Sequence, residues 1–245
     1  MAINIGFETL FETSLLSDDP WWLYILEGAG WTIGLHVAAF TLALVVGIVV
    51  GTLRTSPNRT VRGLCEAWIE LFRNIPLLVQ IFIWYFVVPE FLPWYKDWMI
   101  NNDPVLSQFL SAFLCLGLFT SSRVAEQVRA GICSIPPGLP NAARALGLTR
   151  VQAYRYVILP MALRLVLPPL TSEAMNLVKN TAIVITIGLS DITMRANEMG
   201  ENTFQFFAAY CWATFLYIVI SLAVNRIMAF LERRTAVPGF IAARN

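Results

Sequence analysis

Residues 141–160 read NAARALGLTRVQAYRYVILP, a polar stretch inside an otherwise strongly apolar chain. The preceding proline is tolerated in the first turn of a helix, the alanines favour helix, and Gly147 is the expected left-handed C-cap. Thr149 and Gln152 have the spacing of a capping box, so a second helix should begin at once and run to Pro160. The sequence therefore predicts two short helices joined by a glycine hinge.

This hairpin, taken as residues 134–160, is expected to be a rigid projection between membrane spans. Ala142 and Ala143 have side chains so small that a partner's surface could approach the backbone at the tip. The alternative is an ordinary soluble helix-turn-helix, which the apolar segments on both sides disfavour. We therefore interpret the hairpin as a docking element.

The composition defines the class of protein. The chain has 245 residues, of which 57% are hydrophobic and 13% are charged, and its mean hydropathy is +0.64. A chain of this composition is too apolar to be a soluble domain of this size. We expect an all-α integral membrane protein that forms a single domain over residues 1–245.

Five hydrophobic segments are predicted to cross the membrane. The second follows an amphipathic lead-in at residues 65–73, and Pro168 and Pro169 interrupt the fourth. The five segments are approximately residues 31–53, 74–89, 104–122, 161–190 and 203–225.

The distribution of basic residues predicts the orientation of these spans. Only Lys96 and Arg195 of the seventeen lysines and arginines fall in segments proposed to lie outside. By the positive-inside rule, the acidic N-terminus lies outside and the C-terminus lies in the cytoplasm.

The fourth span concentrates polar side chains on one side. At 100° per residue, five of them fall within an arc of about 120°. Charges at membrane depth are costly, so we expect the arc to face a wet cavity or a partner helix instead of lipid. An alternative is that its two charged residues act as structural links between helices. The five residues are Ser172, Glu173, Asn176, Lys179 and Asn180.

Several chemical activities are excluded by what the sequence lacks. It contains no GxxxxGK[ST] loop for binding ATP phosphates, and its single histidine, His36, lies in an apolar span. No Ser-His-Asp or Cys-His arrangement and no metal-ligand spacing is recognisable. A net charge of +1 argues against nucleic acid as a partner. We expect no catalytic residue and no metal site in this chain.

The hairpin resembles a family motif, the EAA loop of ATP-binding-cassette importer permeases. In that family the loop docks into a cleft of the cytoplasmic ATPase. The family's usual Glu is Asn141 here and its usual Ile is Val157, so one potential salt bridge to the ATPase is missing. The matching positions are Asn141, Ala142, Ala143, Gly147, Val157, Leu159 and Pro160.

Three further stretches resemble the polar amino-acid branch of these permeases: ELFRNIPLLVQ at residues 70–80, residues 123–138, and NLVKNTAI at residues 176–183. The similarity extends from about residue 30 to residue 234 and is greatest to the glutamate/aspartate importers of Gram-negative bacteria.

The resemblance implies a multi-pass subunit of the bacterial inner membrane, with its N-terminus in the periplasm. It implies pairing with a second permease subunit, two ATPases that bind ATP and Mg²⁺, and a periplasmic binding protein that delivers the amino acid. By carry-over, Glu173 would hold the substrate's ammonium group. Lys179 or Arg195 would be candidates for its carboxylates.

Other functions stay open at this point. The polar arc equally suits a permease for neutral or basic polar amino acids. A secondary transporter would usually show inverted repeats, which are not recognisable over five spans. A scaffolding membrane subunit would share the docking hairpin but not the polar arc. The permease could be a homodimer or a heterodimer, and the resemblance favours the latter.

Overall fold

The computed structural model describes residues 6–235, and every regular element in that part of the chain is helical. The shorter elements are the 3-10 helices Phe7–Phe11 and Thr181–Ile187 and the π-helical turns Ile83–Val87 and Tyr154–Ile158. In chain order the α-helices are α1 (Trp21–Leu53), α2 (Arg59–Asn74), α3 (Leu77–Phe82), α4 (Val88–Phe91), α5 (Pro93–Asn101), α6 (Pro104–Cys133), α7 (Gly138–Ala145), α8 (Arg150–Ala153), α9 (Leu159–Asn180), α10 (Ile192–Thr203) and α11 (Phe206–Thr235).

Four helical stretches are long and apolar enough to cross a membrane: α1, α6, α11 and the continuous stretch Arg150–Ile187. A fifth is obtained if α2 and the stretch Leu77–Phe91 form one broken span. The prediction of an all-helical membrane protein is confirmed, and the second predicted span, residues 74–89, falls within this bent pair of helices. The orientation of the termini stays a prediction.

The described chain groups into two compact units. The first contains residues 6–40, 76–117 and 176–223, and the second contains residues 41–75, 118–175 and 224–235. The interpretation of residues 1–245 as one domain stays a prediction, and its two ends lie outside the described residues.

The first unit has an apolar core of fully buried side chains. Leu35 of α1, Ile81 of α3, Leu116 of α6 and Leu177 of α9 contribute to it. Excluding such side chains from the surrounding solvent or lipid lets them pack at the density of a protein interior. This core fixes the direction in which the C-terminal part of α9 presents its polar residues.

The first unit also holds a buried acid at the start of α10. Asp191 is the N-cap of this helix and accepts a hydrogen bond from the backbone N–H of Met194 (2.9 Å). The hydroxyl of Tyr217 donates a second bond to the same carboxyl group, also at 2.9 Å. Removal from water raises the pKa of the Asp191 carboxyl to about 6, although both hydrogen bonds favour its ionised form.

Close helix packing defines the second unit. A Cβ at Gly47 would lie 2.6 Å from the Val124 side chain, and one at Gly51 would lie 2.5 Å from the carbonyl oxygen of Ala125. Glycines four residues apart let two helices approach this closely. A Cβ at Gly34, more than three turns nearer the start of α1 and in the other unit, would meet no atom within 4 Å, so Gly34 has no such role.

The prolines do not end the helices where the sequence predicted. Pro160 lies inside α9 and follows the π-helical turn Tyr154–Ile158, in which the N–H of Leu159 bonds to the carbonyl of Tyr154. Pro168 and Pro169 also lie within α9. A proline lacks a backbone donor and crowds the preceding turn, and a local π turn can accommodate both effects in a membrane helix. The predicted stop at Pro160 is therefore wrong.

Candidate solute path and coupling hairpin

Glu173 is held by two side chains of α6. The amide Nε2 of Gln127 donates a hydrogen bond to its Oε1 at 3.2 Å. The guanidinium of Arg123 lies 3.8 Å from its Oε2 and also stacks over the ring of Phe119. The Glu173 side chain is 14% exposed, so its charge is compensated by these contacts more than by solvent.

These residues border a polar cavity of about 390 Å³ in the second unit. Every side chain that lines it among the described residues is charged or carries an amide. The lining residues are Arg73, Arg123, Glu126, Gln127 and Glu173. A cavity of this size lies in the range of small-molecule sites, which span roughly 300–1,000 Å³.

Glu126 is a shared partner for three arginines. Arg54 forms a hydrogen-bonded ion pair with it, the Nε of Arg129 donates to it at 3.0 Å, and a guanidinium nitrogen of Arg73 lies 3.7 Å away. Because hydrogen-bonded guanidinium groups already surround Glu126, the carboxylate of Glu173 is the one in this cavity that is more available to a ligand.

The five residues of the polar arc do not all reach this cavity. Glu173 lies in it, whereas Ser172 is exposed and Asn176 and Asn180 are partly buried. Lys179 belongs to the first unit, where it lines a different, largely apolar cavity with Tyr217 and Ile218 of α11. Three apolar residues of the same stretch of α9 are fully buried: Ala174, Leu177 and Val178.

Arg195, considered above as a partner for substrate carboxylates, is already engaged. Its Nη1 donates to the carbonyl of Tyr24 at 2.8 Å and to Glu27 at 2.6 Å, and its guanidinium lies 4.5 Å from the centre of the Tyr24 ring. These contacts join α10 to α1 inside the first unit. The geometry is that of a structural link.

Arg73, Arg123 and Gln127 line the cavity but were not predicted from the sequence to do so. A signal was present, because Arg123, Glu126 and Gln127 have the i, i+3, i+4 spacing that places side chains on one face of a helix. These residues could not be linked to Glu173 from the sequence because they are far from it along the chain; Gln127 is 46 residues away.

The hairpin has the predicted caps. Gly147 has φ +84°, the N–H of Leu148 bonds to the carbonyl of Ala143, and the N–H of Gly147 bonds to that of Arg144. This pattern is a Schellman motif. Thr149 and Gln152 form the reciprocal bonds of a capping box. Both predictions of local structure are confirmed.

The exposed surface of the hairpin differs from the predicted one. Ala142 and Asn141 are exposed, but Ala143 is only 5% exposed and packs inward. The most exposed large apolar side chains are those of Leu146 and Val151, which are 83% and 75% exposed, followed by Tyr156. At Ala142 a partner's surface could therefore approach the backbone as predicted, but at Ala143 it could not. Leu159 and Pro160 are partly buried at the start of α9.

Among residues 6–235, no group of His, Cys, Asp and Glu side chains is placed to hold a metal ion. The four cysteines are free thiols, two of them buried.

Comparison with known proteins identifies the family. Residues 43–237 match the profile of the family described as binding-protein-dependent transport system inner membrane component. The glutamate/aspartate import permease protein GltJ of Escherichia coli K12 is 47% identical over 98% of both chains. GltK, a second glutamate/aspartate import permease protein of E. coli, is 32% identical over 87% of this chain and 94% of its own.

Solved structures agree. An amino-acid ABC transporter crystallised with histidines matches with a TM-score of 0.73 and 31% identity, over 86% of this chain and 94% of that one. The chain belongs to the family of binding-protein-dependent transport system inner membrane components and is the permease subunit of an ABC amino-acid importer of the inner membrane.

Proposed function

We propose that this permease subunit imports glutamate and aspartate and that the Glu173 cavity is part of the solute path. The observation that carries this proposal is the chemistry of that cavity. It combines one loosely paired carboxylate, Glu173, with two guanidinium groups, those of Arg73 and Arg123. The relatives GltJ and GltK, named for import of the same two amino acids, support it.

An acidic amino acid carries one ammonium and two carboxylate groups, which is the complement of this set. The ammonium would bind Glu173, and the carboxylates would bind Arg73 and Arg123. The ion pairs that these arginines now make are long, 3.7 Å to Glu126 and 3.8 Å to Glu173, which leaves donors free for a ligand. Arginine is suited to this role because its planar guanidinium can bind a carboxylate with two hydrogen bonds.

The hairpin would couple this path to ATP hydrolysis. In the proposed assembly, this subunit pairs with a second, homologous permease, two ATPases bind ATP and Mg²⁺ at the cytoplasmic side, and a periplasmic protein delivers the substrate. The exposed Leu146 and Val151 offer an apolar contact to an ATPase cleft. Closure of the ATPases would move the hairpins and open the path to the periplasm by alternating access. The proposed orientation has the N-terminus outside.

The test is substrate-stimulated ATP hydrolysis by the complex reconstituted in liposomes with its binding protein. We expect glutamate and aspartate, but not glutamine or arginine, to stimulate the wild type. Loss of one hydrogen-bonded charge corresponds to about 1.5–3 kcal/mol, or roughly a 10- to 100-fold change in affinity. Glu173→Gln and Arg123→Gln should weaken the response to glutamate by that factor.

Glu70→Gln is the matched control, because Glu70 is exposed on α2 and does not line the cavity. A normal response in both cavity variants would refute the placement of the solute path. Stimulation of the wild type by glutamine or arginine would instead favour the alternative of a permease for neutral or basic amino acids. That alternative has some support, since a glutamine transport permease of E. coli is 31% identical to this chain.

A further inference from the structure

A second cavity in the same unit is rich in hydrogen-bond donors. It has a volume of about 360 Å³ and lies where α1 ends, bordered by α2, α6 and the hairpin. No acidic side chain is among the described residues that line it. Its polar lining consists of three guanidinium and three hydroxyl groups, from Arg54, Arg62, Arg129, Thr55, Ser56 and Tyr154.

The positive charge around this cavity is only partly compensated. Glu126 is shared by Arg54, Arg73 and Arg129, and Glu66 reaches Arg54 at 3.6 Å. Within the described residues, Arg62 forms no ion pair, and the buried Nε of Arg54 is the atom that faces Glu66 at 3.6 Å, without a hydrogen bond. The three arginines that line the cavity therefore have two carboxylate partners, Glu66 and Glu126, and Glu126 is shared with Arg73, which leaves an excess of positive charge at the cavity.

The walls of the cavity come from distant parts of the chain. The hydroxyls of Thr55, after α1, and Tyr154, in the π-helical turn of the hairpin, are 3.2 Å apart. Cys133, at the end of α6, also lines the cavity and is exposed. A ligand in this cavity would contact the hairpin and the end of a membrane-spanning helix together.

We propose that this cavity binds the phosphate group of a phosphate ester. Guanidinium groups bind phosphate oxygens in pairs of hydrogen bonds, and hydroxyl groups complete the shell. Two sources have this chemistry: the headgroup of an anionic phospholipid, because basic pockets between membrane helices bind such headgroups, and a soluble phosphate ester. The proposal does not depend on the amino acid that the importer carries.

Alkylation of Cys133 provides a direct readout. The full-length protein, purified with its co-expressed partner subunits and delipidated in dodecyl maltoside, is treated with iodoacetamide, and each cysteine is followed by mass spectrometry of its peptide. One arm adds glycerol 3-phosphate and the other adds phosphatidylglycerol in mixed micelles, both against potassium chloride at equal ionic strength. Cys211 is the internal control, because it is only partly buried and lies in the first unit, away from this cavity.

Saturable slowing of alkylation at Cys133, but not at Cys211, supports the proposal. Protection by glycerol 3-phosphate identifies a soluble ester as a sufficient ligand, and protection by phosphatidylglycerol alone identifies a lipid headgroup. Protection in neither arm, or equal slowing at both cysteines, overturns it.

Arg62→Gln and Arg59→Gln make a matched pair, because both residues are exposed on α2 and only Arg62 lines the cavity. We expect Arg62→Gln to raise the concentration for half-maximal protection about tenfold, as expected for one lost charged hydrogen bond. Arg59→Gln should behave as the wild type. Identical protection curves for the two variants would also overturn the proposal.

Discussion

Replacing Gly147 by alanine should loosen the hairpin without disturbing any side chain. The residue has φ +84°, and a Cβ added there meets no atom within 4 Å. The cost is therefore entirely one of backbone conformation, about 1–2 kcal/mol for an L-residue in the left-handed region. The easiest relief is to open the Schellman motif, whose hydrogen bonds to the carbonyls of Arg144 and Ala143 are 3.0 and 3.2 Å long.

Hydrogen exchange of the amides of residues 147 and 148 measures this opening, because these two groups donate those bonds. A destabilisation of 1–2 kcal/mol corresponds to about 5- to 30-fold faster exchange. Amino-acid uptake should fall as well, since a loosened hairpin transmits less of the ATPase motion, and a bulkier residue should abolish uptake while membrane insertion continues.

Gly138→Ala is the matched control, because Gly138 lies in the same hairpin, also has open space around it, and does not have a positive φ. It should leave exchange and uptake near their wild-type values. Unchanged exchange in Gly147→Ala, or equal effects of both substitutions, would refute the reasoning that links the left-handed cap to coupling.

Two further predictions concern packing and pH. Gly51→Ala should destabilise the protein by about 1–3 kcal/mol, because its Cβ would lie 2.5 Å from the carbonyl oxygen of Ala125. Thermal unfolding in detergent measures this loss of stability. Gly34→Ala is the control, because its Cβ would lie in open space, and it should not lower the unfolding temperature. The pKa of the Asp191 carboxyl is raised from 3.8 to about 6 in the folded protein, so folding favours its protonated form. As the pH rises from about 4 to 7, the free energy of unfolding of the wild type should therefore fall by about 3 kcal/mol relative to that of Asp191→Asn. A pH-independent difference between the two proteins would contradict this.

The parts of the fold that were predicted from sequence depend on chemistry within a few residues. The capping box of Thr149 and the left-handed Gly147 each involve hydrogen bonds over three to five positions, which can be recognised in the printed sequence. The membrane spans follow from the length of apolar segments. Neither kind of inference needs knowledge of what packs against the helix.

The parts that were missed depend on tertiary contacts. The partners of Glu173 come from α6, and no local rule selects Arg123 and Gln127 over Lys179. The inward position of Ala143 is likewise set by packing in the second unit. The sequence thus identified Glu173 as an unusual intramembrane charge but not the cavity that it borders.

Each π-helical turn also changes the direction in which the side chains that follow it point. Each turn, Tyr154–Ile158 before Pro160 and Ile83–Val87 before Pro89, closes a hydrogen bond over five residues instead of four. The extra residue rotates everything beyond it by about 100° relative to an uninterrupted α-helix. A helical wheel drawn straight through residues 150–180 therefore mixes two faces, and a substitution scan should show its periodicity restart after Ile158. The second helix of the hairpin is therefore continuous with the span that follows it, but the side chains before and after Ile158 form two separate surfaces.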